Sequence, residues 1–180
     1  YGYLPSVFLM KWQRWMKQHR HRYNPQKQPL VLFLMTDMLE PYDLPDPVIC
    51  VRTSLLSYKK RPMDIAMPYP LLDWEEAMPP STNIGVSFCG VPNHPSRIQL
   101  LNFMLRQDKI PADFILRDRF WGRIKESSTA ETIRRLRQEY MLNLHNHPFV
   151  ICSRGAGNYS IRFYEALRAG RIPVMLDTDM

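Results

Sequence analysis

The second half of the chain alternates between short, continuous apolar runs and longer stretches whose apolar residues recur at helical spacing. The apolar runs predict strands at 84–89, 113–116, 149–152 and 172–176. The helical spacing predicts helices at 95–107, 128–143 and 160–169. Strands that alternate with helices of this length are typical of a parallel sheet with helices on both faces. We therefore predict an α/β fold with a Rossmann-like domain in this half.

The first of these helices has a start that can be read from the sequence. Pro95 suits its first turn, and Asn93 or His94 precedes it as a cap candidate. Its inward face is predicted to carry Ile98, Leu101, Met104 and Leu105. Arg97 is predicted to lie on the outside of the helix, in a surface salt bridge.

The first half of the chain contains two apolar runs and one amphipathic stretch. Residues 30–35 form an almost pure apolar run, which predicts a strand buried on both faces, and 48–51 predicts a second short buried strand. Apolar residues between 5 and 21 recur as in an amphipathic helix with a basic outer face. We expect these elements to form part of a smaller α/β domain.

A proline-rich stretch separates the two halves. Prolines stand at positions 62, 68, 70, 79 and 80, and this density excludes a helix between 62 and 82. We therefore place a domain boundary near residue 80. Residues 1–80 are predicted to form a partial N-terminal, acceptor-side domain with its linker, and 81–180 a second domain that is truncated at its C-terminus.

Composition restricts the classes of function that the chain can have. The 180 residues include 24 basic and 17 acidic side chains, and a net charge of +7 suits a polyanionic partner. Such a partner could be nucleic acid, an acidic membrane surface, a nucleoside diphosphate or an acidic polysaccharide. No apolar run approaches the roughly 20 residues that a membrane-spanning helix needs.

Cysteine and histidine spacing argues against a disulfide-rich scaffold and against a metal site. The chain has no CxxC pair, and its histidines show no metal-ligand spacing. Cys89 and Cys152 lie in apolar runs, where a free cysteine behaves as a small core residue. We therefore expect no metal or other cofactor to be required.

The segment from Phe149 to Leu176 has the features of a phosphate-binding turn. A buried strand leads into Arg154-Gly-Ala-Gly157, a helix starts near Ser160, and Gly170 ends that helix. Glycines allow a ligand to approach the backbone closely, and the N–H groups at a helix start favour an anion. Arg154 and Arg162 add positive charge at the same end. Glu165, one turn into the helix, is suited to accept hydrogen bonds from ribose hydroxyls.

The full string of residues in this segment resembles a known family. Arg154-Gly-Ala-Gly-Asn-Tyr-Ser-Ile-Arg-Phe-Tyr-Glu-Ala-Leu, followed by Gly170-Arg-Ile-Pro-Val, is similar to the motif of exostosin-like glycosyltransferases. Val86-Ser-Phe-Cys-Gly and Phe114-Ile-Leu-Arg-Asp also resemble members of that family. The resemblance covers about 83–179. It implies a GT-B fold, in which two Rossmann-like domains face each other across a cleft and the second binds the nucleotide sugar.

The resemblance also implies roles for individual residues. Arg154 and Arg162 would meet the diphosphate, Gly155 and Ser160 would donate hydrogen bonds to it, and Glu165 would take the ribose. The further site residues it implies are Gly90, which would leave room at the cleft, and Arg117, which would be another anion contact. The activity implied is transfer of a sugar from a nucleoside diphosphate sugar, most simply a UDP-sugar, to a glycan or other hydroxyl acceptor.

Two other functions remain open at this stage. One is a non-catalytic, glycan-binding relative of the same fold. The other is a nucleic-acid-binding module that uses the basic residues between 11 and 27 with Trp12, Trp15 and Tyr23 for stacking. We favour the glycosyltransferase, and therefore expect a nucleotide sugar and a glycan acceptor as partners and no nucleic acid. Peripheral contact with a membrane surface is compatible with the basic charge.

Several other sequence features carry weaker expectations. Asp177-Thr-Asp179 matches an Asp-x-Asp metal motif, but we expect a polar turn there. His145 and His147 precede a strand and should lie opposite the site. The acidic residues Asp37, Glu40 and Asp43 are candidates for a catalytic base, none of which is assigned. Asn158-Tyr-Ser160 is a glycosylation sequon inside the donor loop, which favours a cytoplasmic, microbial or viral setting over a Golgi lumen.

Overall fold

The computed structural model describes residues 11, 14, 15, 17–19, 24, 27, 29–42, 44, 48–69, 79, 81, 83–120 and 127–176. The chain divides into two compact units, one formed by Tyr1–Tyr69 with Asp179–Met180 and the other by Pro70–Thr178. The division therefore falls inside the proline-rich stretch. No helix among the described residues is long and apolar enough to cross a membrane.

The first unit contains a three-stranded parallel sheet. Its strands are β1 (Leu30–Leu34), β2 (Val48–Arg52) and β3 (Asp64–Ala66), hydrogen-bonded in that order. The third strand was not predicted, because it lies in the proline-rich stretch. Pro62 and Pro68 flank β3 without interrupting it, so they leave its backbone N–H groups free to pair.

The strand β1 is covered on one face and exposed on the other. Its even-numbered leucines pack with Met38, Tyr42 and Leu44, which follow the strand. Phe33, on the opposite face, is 70% exposed. The prediction that this run is buried on both faces is therefore wrong. The described residues after β1 fold back over one face only, and a continuous apolar run does not reveal that.

The second unit contains a four-stranded parallel sheet with helices between its strands. The strands are β4 (Val86–Gly90), β5 (Ala112–Leu116), β6 (Phe149–Ile151) and β7 (Ile172–Val174), in the order β5-β4-β6-β7. The helices are α1 (Pro95–Leu105), α2 (Ala130–Asn146) and α3 (Ile161–Arg168). The predicted α/β fold with a parallel, Rossmann-like sheet is confirmed.

The second sheet is covered on both faces because its strand residues alternate in direction. Phe88 and Ile151 pack against Leu101 of α1. Cys89 and Val150 point the other way, and the core on their face also contains Tyr140, Leu144, Cys152, Ala166 and Ala169. The helices α2 and α3 therefore share one face, and α1 covers the other.

The phase of α1 differs from the prediction. His94 caps the helix, since its side chain accepts a hydrogen bond from the Ser96 N–H, and Pro95 occupies the first turn as expected. The residues buried on α1 are Arg97 and Leu101, while Ile98 and Leu105 are exposed. The predicted inward face is therefore confirmed for Leu101 and Met104 and wrong for Ile98 and Leu105, and the predicted surface position of Arg97 is wrong. The helix is rotated because Arg97 finds its acceptors inward, in the loops after β4 and β6.

The strand order creates a crevice at one point of the sheet edge. The chain leaves β4 towards β5 on one side and leaves β6 towards β7 on the other. The loops after β4 and β6 therefore diverge, and open α/β sheets bind their ligands at such a switch point beyond the carboxyl ends of the strands.

Candidate functional site

Arg162, in the first turn of α3, reaches back over the end of β4. Its Nη2 donates a hydrogen bond to the carbonyl oxygen of Cys89, and its guanidinium carbon lies 4.4 Å from the centre of the Phe88 ring. Its Nε is buried and has no hydrogen-bond partner. A buried donor without a partner is costly, and a bound acceptor would remove that cost.

Gly90 lies against the end of the Arg162 side chain. A Cβ built at this position, where φ is +156°, would lie 2.7 Å from Arg162 Nη2. The family resemblance implied that Gly90 leaves room at the cleft for a donor or an acceptor. In the structure the nearest atom to that space is the arginine, so Gly90 belongs to the site through Arg162.

Arg154 lies three residues after the end of β6. Its Nε is also buried without a hydrogen-bond partner. The pKa of His94, at the start of α1, is lowered mainly by burial. The positive charges of Arg154 and Arg97 lower it further. Arg154 therefore lies near the first turn of α1 and brings a second incompletely bonded guanidinium to the crevice.

Arg97 is the site residue that the sequence did not predict. It is 7% exposed, and it donates hydrogen bonds to the carbonyl oxygens of Val91 (2.7 Å) and Ser153 (2.7 Å). Burial, followed by the charge of Arg162, lowers the pKa of Arg97 to about 10, so it stays protonated at neutral pH. The spacing of Arg97, Leu101 and Met104 on one helix face could have indicated its inward direction.

The turn after β6 is fitted closely to Arg97. A Cβ at Gly155 would lie 3.2 Å from Arg97 Nη2 and 3.5 Å from Asn93 Oδ1. Ser160 is the residue before α3, and its side chain makes no capping hydrogen bond to the helix. The first N–H groups of α3 therefore have no capping side chain from Ser160. This is expected of a helix start that can bind an anion.

The charge of these arginines is not neutralised within the part of the chain that the structure describes. No ion pair there joins Arg97, Arg154 or Arg162 to a carboxylate. Three guanidinium groups at one edge, together with two helix starts, form a strongly positive region. Such a region favours the approach of an anion.

Glu165 lies on α3 but faces α2. Its carboxylate accepts a hydrogen bond from the Tyr140 hydroxyl and pairs with Arg137 Nη1 at 3.4 Å. Burial and the charge of Glu165 raise the pKa of Tyr140 well above its ordinary value, which keeps the hydroxyl protonated as a donor. The ring of Tyr140 also lies 6.0 Å from the guanidinium carbon of Arg162. Tyr140 and Arg137 thus hold the carboxylate of Glu165 in one orientation, on the side of Tyr140 that also neighbours Arg162.

Arg117 differs from the other arginines of the predicted site. It donates to the carbonyl oxygen of Leu136 (2.7 Å) and forms an ion pair with Glu139 (2.9 Å), both on α2. Its backbone N–H also donates to the carbonyl oxygen of Gly90 at 3.0 Å. Its charge is therefore already paired, and its contacts fix α2 to the end of β5.

The histidines before β6 lie at the other edge of the sheet, as predicted. His147 Nε2 is 3.6 Å from Asp113 Oδ2, at the start of β5. His145 accepts at its carbonyl oxygen from Arg171, which precedes β7. The candidate bases are not gathered into a site either, since Asp37 is exposed and Glu40 pairs with Lys59. Asp43 and the Asp177–Asp179 motif lie outside the described residues.

The two cysteines of the second unit are buried away from solvent. Cys89 and Cys152 are buried in the core, as predicted, and burial raises the pKa of Cys152 to about 12. Among the residues that are described, no three His, Cys, Asp or Glu side chains are grouped so that they could hold a metal ion. Asn158 of the sequon is 1% exposed, so no glycan could extend from it in this fold.

Comparison with known proteins adds no family assignment to this geometry. No protein-family model matches the chain, and no curated protein matches it either.

Proposed function

We propose that the second unit binds the nucleoside diphosphate sugar of a glycosyltransferase with a GT-B fold. The reaction would move the sugar to a hydroxyl group of a glycan or other acceptor. The observation that carries this proposal is the group of arginines without carboxylate partners at the crevice, formed by Arg97, Arg154 and Arg162. The sequence similarity of 149–176 to exostosin-like enzymes is the second support.

The charge of the site suits the chemical demand of the reaction. The bond between the sugar carbon and the diphosphate oxygen breaks, the acceptor oxygen bonds to that carbon, and the acceptor hydroxyl proton passes to a base. Negative charge grows on the leaving diphosphate, and positioned donors in a site with little water stabilise it. Arg154 and Arg162 each have an unpartnered Nε for this purpose. Because these arginines supply the positive charge, the proposal requires no metal.

Glu165 is suited to select a nucleoside over a bare diphosphate. A carboxylate has about four acceptor positions, and Tyr140 and Arg137 use only some of them. The remaining positions can accept hydrogen bonds from the two hydroxyls of a ribose. Glu165 lies on the same helix as Arg162, one turn further on. A ribose joined to a diphosphate bound by Arg162 would therefore lie on the side of Glu165.

A titration of the chain with UDP, ADP, GDP, UMP and pyrophosphate tests this proposal. We expect nucleoside diphosphates to bind more tightly than UMP, and Arg162→Met to weaken them by roughly 30-fold or more, since a buried charge contact is lost. Arg106→Met is the matched control, because Arg106 ends α1 at the other edge of the sheet and is exposed. If no diphosphate binds, or if both variants bind as the parent does, the proposal is wrong.

The nucleic-acid alternative makes a different prediction in the same experiment. Lys11, Arg14 and Trp15 are exposed, and the Trp15 ring stacks on His19 with 4.7 Å between ring centres. A stacking module of this kind would bind oligonucleotides with a strong salt dependence and would not distinguish UDP from other diphosphates. An oligonucleotide that binds more tightly than any nucleoside diphosphate, with Trp15→Ala abolishing the effect, would favour that function.

A further inference from the structure

We infer that Arg97 is a positioning residue that ties together the two loops on either side of the crevice. The inference rests on the proposed function for the nature of the ligand. The contact between the loops does not depend on that function, because it is formed in the protein without any ligand.

The hydrogen bonds of Arg97 divide evenly between the two loops. Nη1 donates to the Val91 carbonyl (2.7 Å) and to Asn93 Oδ1 (2.8 Å), both in the loop between β4 and α1. Nη2 donates to the Ser153 carbonyl (2.7 Å) and Nε to Ser153 Oγ (3.3 Å), both in the loop between β6 and α3. One planar, rigid guanidinium therefore joins segments that diverge at the switch point, and no other side chain type offers this fork of donors.

The contact of Arg97 with Ser153 determines where the loop holds the proposed anion-binding residues Arg154 and Gly155. Ser153 directly precedes Arg154 and Gly155, so a shift of Ser153 moves both. Arg162 is anchored separately, to the carbonyl oxygen of Cys89 on β4. The separation of Arg154, in the β6–α3 loop, from the Arg162 guanidinium, which is bonded to β4, therefore depends on how the β6–α3 loop is held against the β4–α1 loop. Arg97 makes that connection.

The charge of Arg97 is not needed to explain its contacts, which all end on neutral oxygen atoms. Lysine at this position would keep the charge but has one nitrogen, which cannot reach four acceptors in two loops. An electrostatic role and a positioning role can therefore be separated by substitution. Arg97→Lys removes the tie and keeps the charge, and Arg97→Met removes both.

The test combines pyrophosphate binding with amide hydrogen exchange of the ligand-free chain, for the parent, Arg97→Lys and Arg97→Met. We expect both variants to bind pyrophosphate at least about tenfold more weakly, which is the effect of one misplaced charged contact. We also expect the amides of Val91, of Asn93 and of 153–157 to exchange about tenfold faster, while those of Ser87 and Val150 in the strands keep the exchange of the parent.

The control is Arg171→Lys, because Arg171 is also buried and also bonded to main-chain oxygen atoms, at the other edge of the sheet. It should leave pyrophosphate binding unchanged. The inference is overturned if Arg97→Lys binds as the parent does, which would make the role electrostatic. It is also overturned if exchange rises in the strands as much as in the loops, which would make it purely structural. If the parent binds no pyrophosphate, the proposed function fails, and the loop exchange still decides the role of Arg97.

If Arg97→Met does not fold, Gly155→Ala provides a variant that keeps the arginine. Its Cβ would lie 3.2 Å from Arg97 Nη2, so the turn must move away from the guanidinium by a few tenths of an ångström. We expect faster exchange in 153–157 and about threefold weaker pyrophosphate binding, a part of the effect of losing one charged contact. Unchanged exchange and unchanged binding in this variant would contradict the inference.

Discussion

The two edges of the four-stranded sheet each hold a buried arginine bonded to the main chain, but they differ in what lies beside it. At the amino edge, Arg171 is 4% exposed and donates to the carbonyl oxygens of Pro79, Leu144, His145 and Ala169. At the carboxyl edge, Arg97 bonds similarly to two loops. Beside Arg97 lie two further arginines, Arg154 and Arg162, each with a buried Nε that has no hydrogen-bond partner, and the described residues around Arg171 include no such arginine.

This difference shows how a structural arginine can be distinguished from a binding site when the residue type is the same. A guanidinium whose donors all end on carbonyl oxygens connects segments of chain and needs no ligand. Additional guanidinium groups with missing partners, close enough for Arg162 to lower the pKa of Arg97, leave positive charge that an anion would stabilise. Under the proposed function the carboxyl edge would bind a ligand, whereas the hydrogen bonds of Arg171 at the amino edge connect segments of the chain.

The largest effect on stability is expected at the amino edge. Arg171→Met would leave several buried carbonyl oxygens without donors, and we expect a loss of about 2–4 kcal/mol in the free energy of unfolding, at roughly 1 kcal/mol for each. Denaturant unfolding measures this. Pyrophosphate affinity of the folded variant should equal that of the parent, and a tenfold fall in affinity would show that the two edges are not separate.

The next effect is expected where glycine meets arginine at the carboxyl edge. Gly90→Ala places a Cβ 2.7 Å from Arg162 Nη2 at a φ of +156°, and we expect a loss of about 1–3 kcal/mol from backbone strain. Unlike Arg171→Met, it should also weaken pyrophosphate binding, because Arg162 must move. Gly170→Ala, where a Cβ would meet nothing within 4 Å, is a control for the strain at positive φ alone. Equal pyrophosphate affinity in both glycine variants would contradict the role of Gly90.

A smaller effect should separate the ribose contact from the diphosphate contact. Tyr140→Phe removes the hydrogen bond that orients Glu165, and we expect UDP affinity to fall by roughly fivefold, equivalent to about 1 kcal/mol. Pyrophosphate affinity should not change, because pyrophosphate has no ribose. Calorimetry with both ligands measures the two values. An equal fall for both would show that Tyr140 acts on Arg162 and not on Glu165.

The smallest effect concerns pH. Burial and the charges of Arg154 and Arg97 lower the pKa of His94 in the folded chain, so the unfolded chain takes up a proton first as the pH falls. Stability from this group is therefore present at pH 7 and decreases as the pH drops through about 6.5, the ordinary pKa of histidine. His94→Asn keeps a side-chain acceptor at the helix cap and should remove this slope between pH 7 and 5. An unchanged slope in the variant would assign it to another group.

The parts of this molecule that could be predicted from sequence are those that depend on neighbours along the chain. The strand, glycine turn and helix that place Arg154 and Arg162 span fewer than 30 residues, and their elements follow from hydrophobic periodicity and helix ends. Such local patterns also gave the parallel sheet, because the first three apolar runs of the second unit are each followed by a helix.

The parts that could not be predicted depend on contacts between distant positions. Arg97 bonds to Ser153, 56 residues away, and Tyr140 reaches Glu165 across 25 residues. A polar residue on the inner face of a helix lowers the apparent amphipathicity, so the pattern of α1 placed Leu101 and Met104 correctly but put Arg97 outside and Ile98 and Leu105 inside. The exposed face of β1 was also not predicted. The residues of a strand do not show whether one or two layers of chain pack against it.

Pyrophosphate binding to one pair of variants tests the central claim most directly. The double variant Arg154→Met/Arg162→Met removes two arginines of the crevice that each have a buried Nε without a hydrogen-bond partner, and Arg171→Met removes a buried arginine from the other edge. We predict that the double variant binds pyrophosphate at least about 100-fold more weakly than the parent, with roughly 1.4 kcal/mol for each factor of ten. Arg171→Met should bind as the parent does. Equal affinities in all three proteins would contradict an anion site at the carboxyl edge of this sheet.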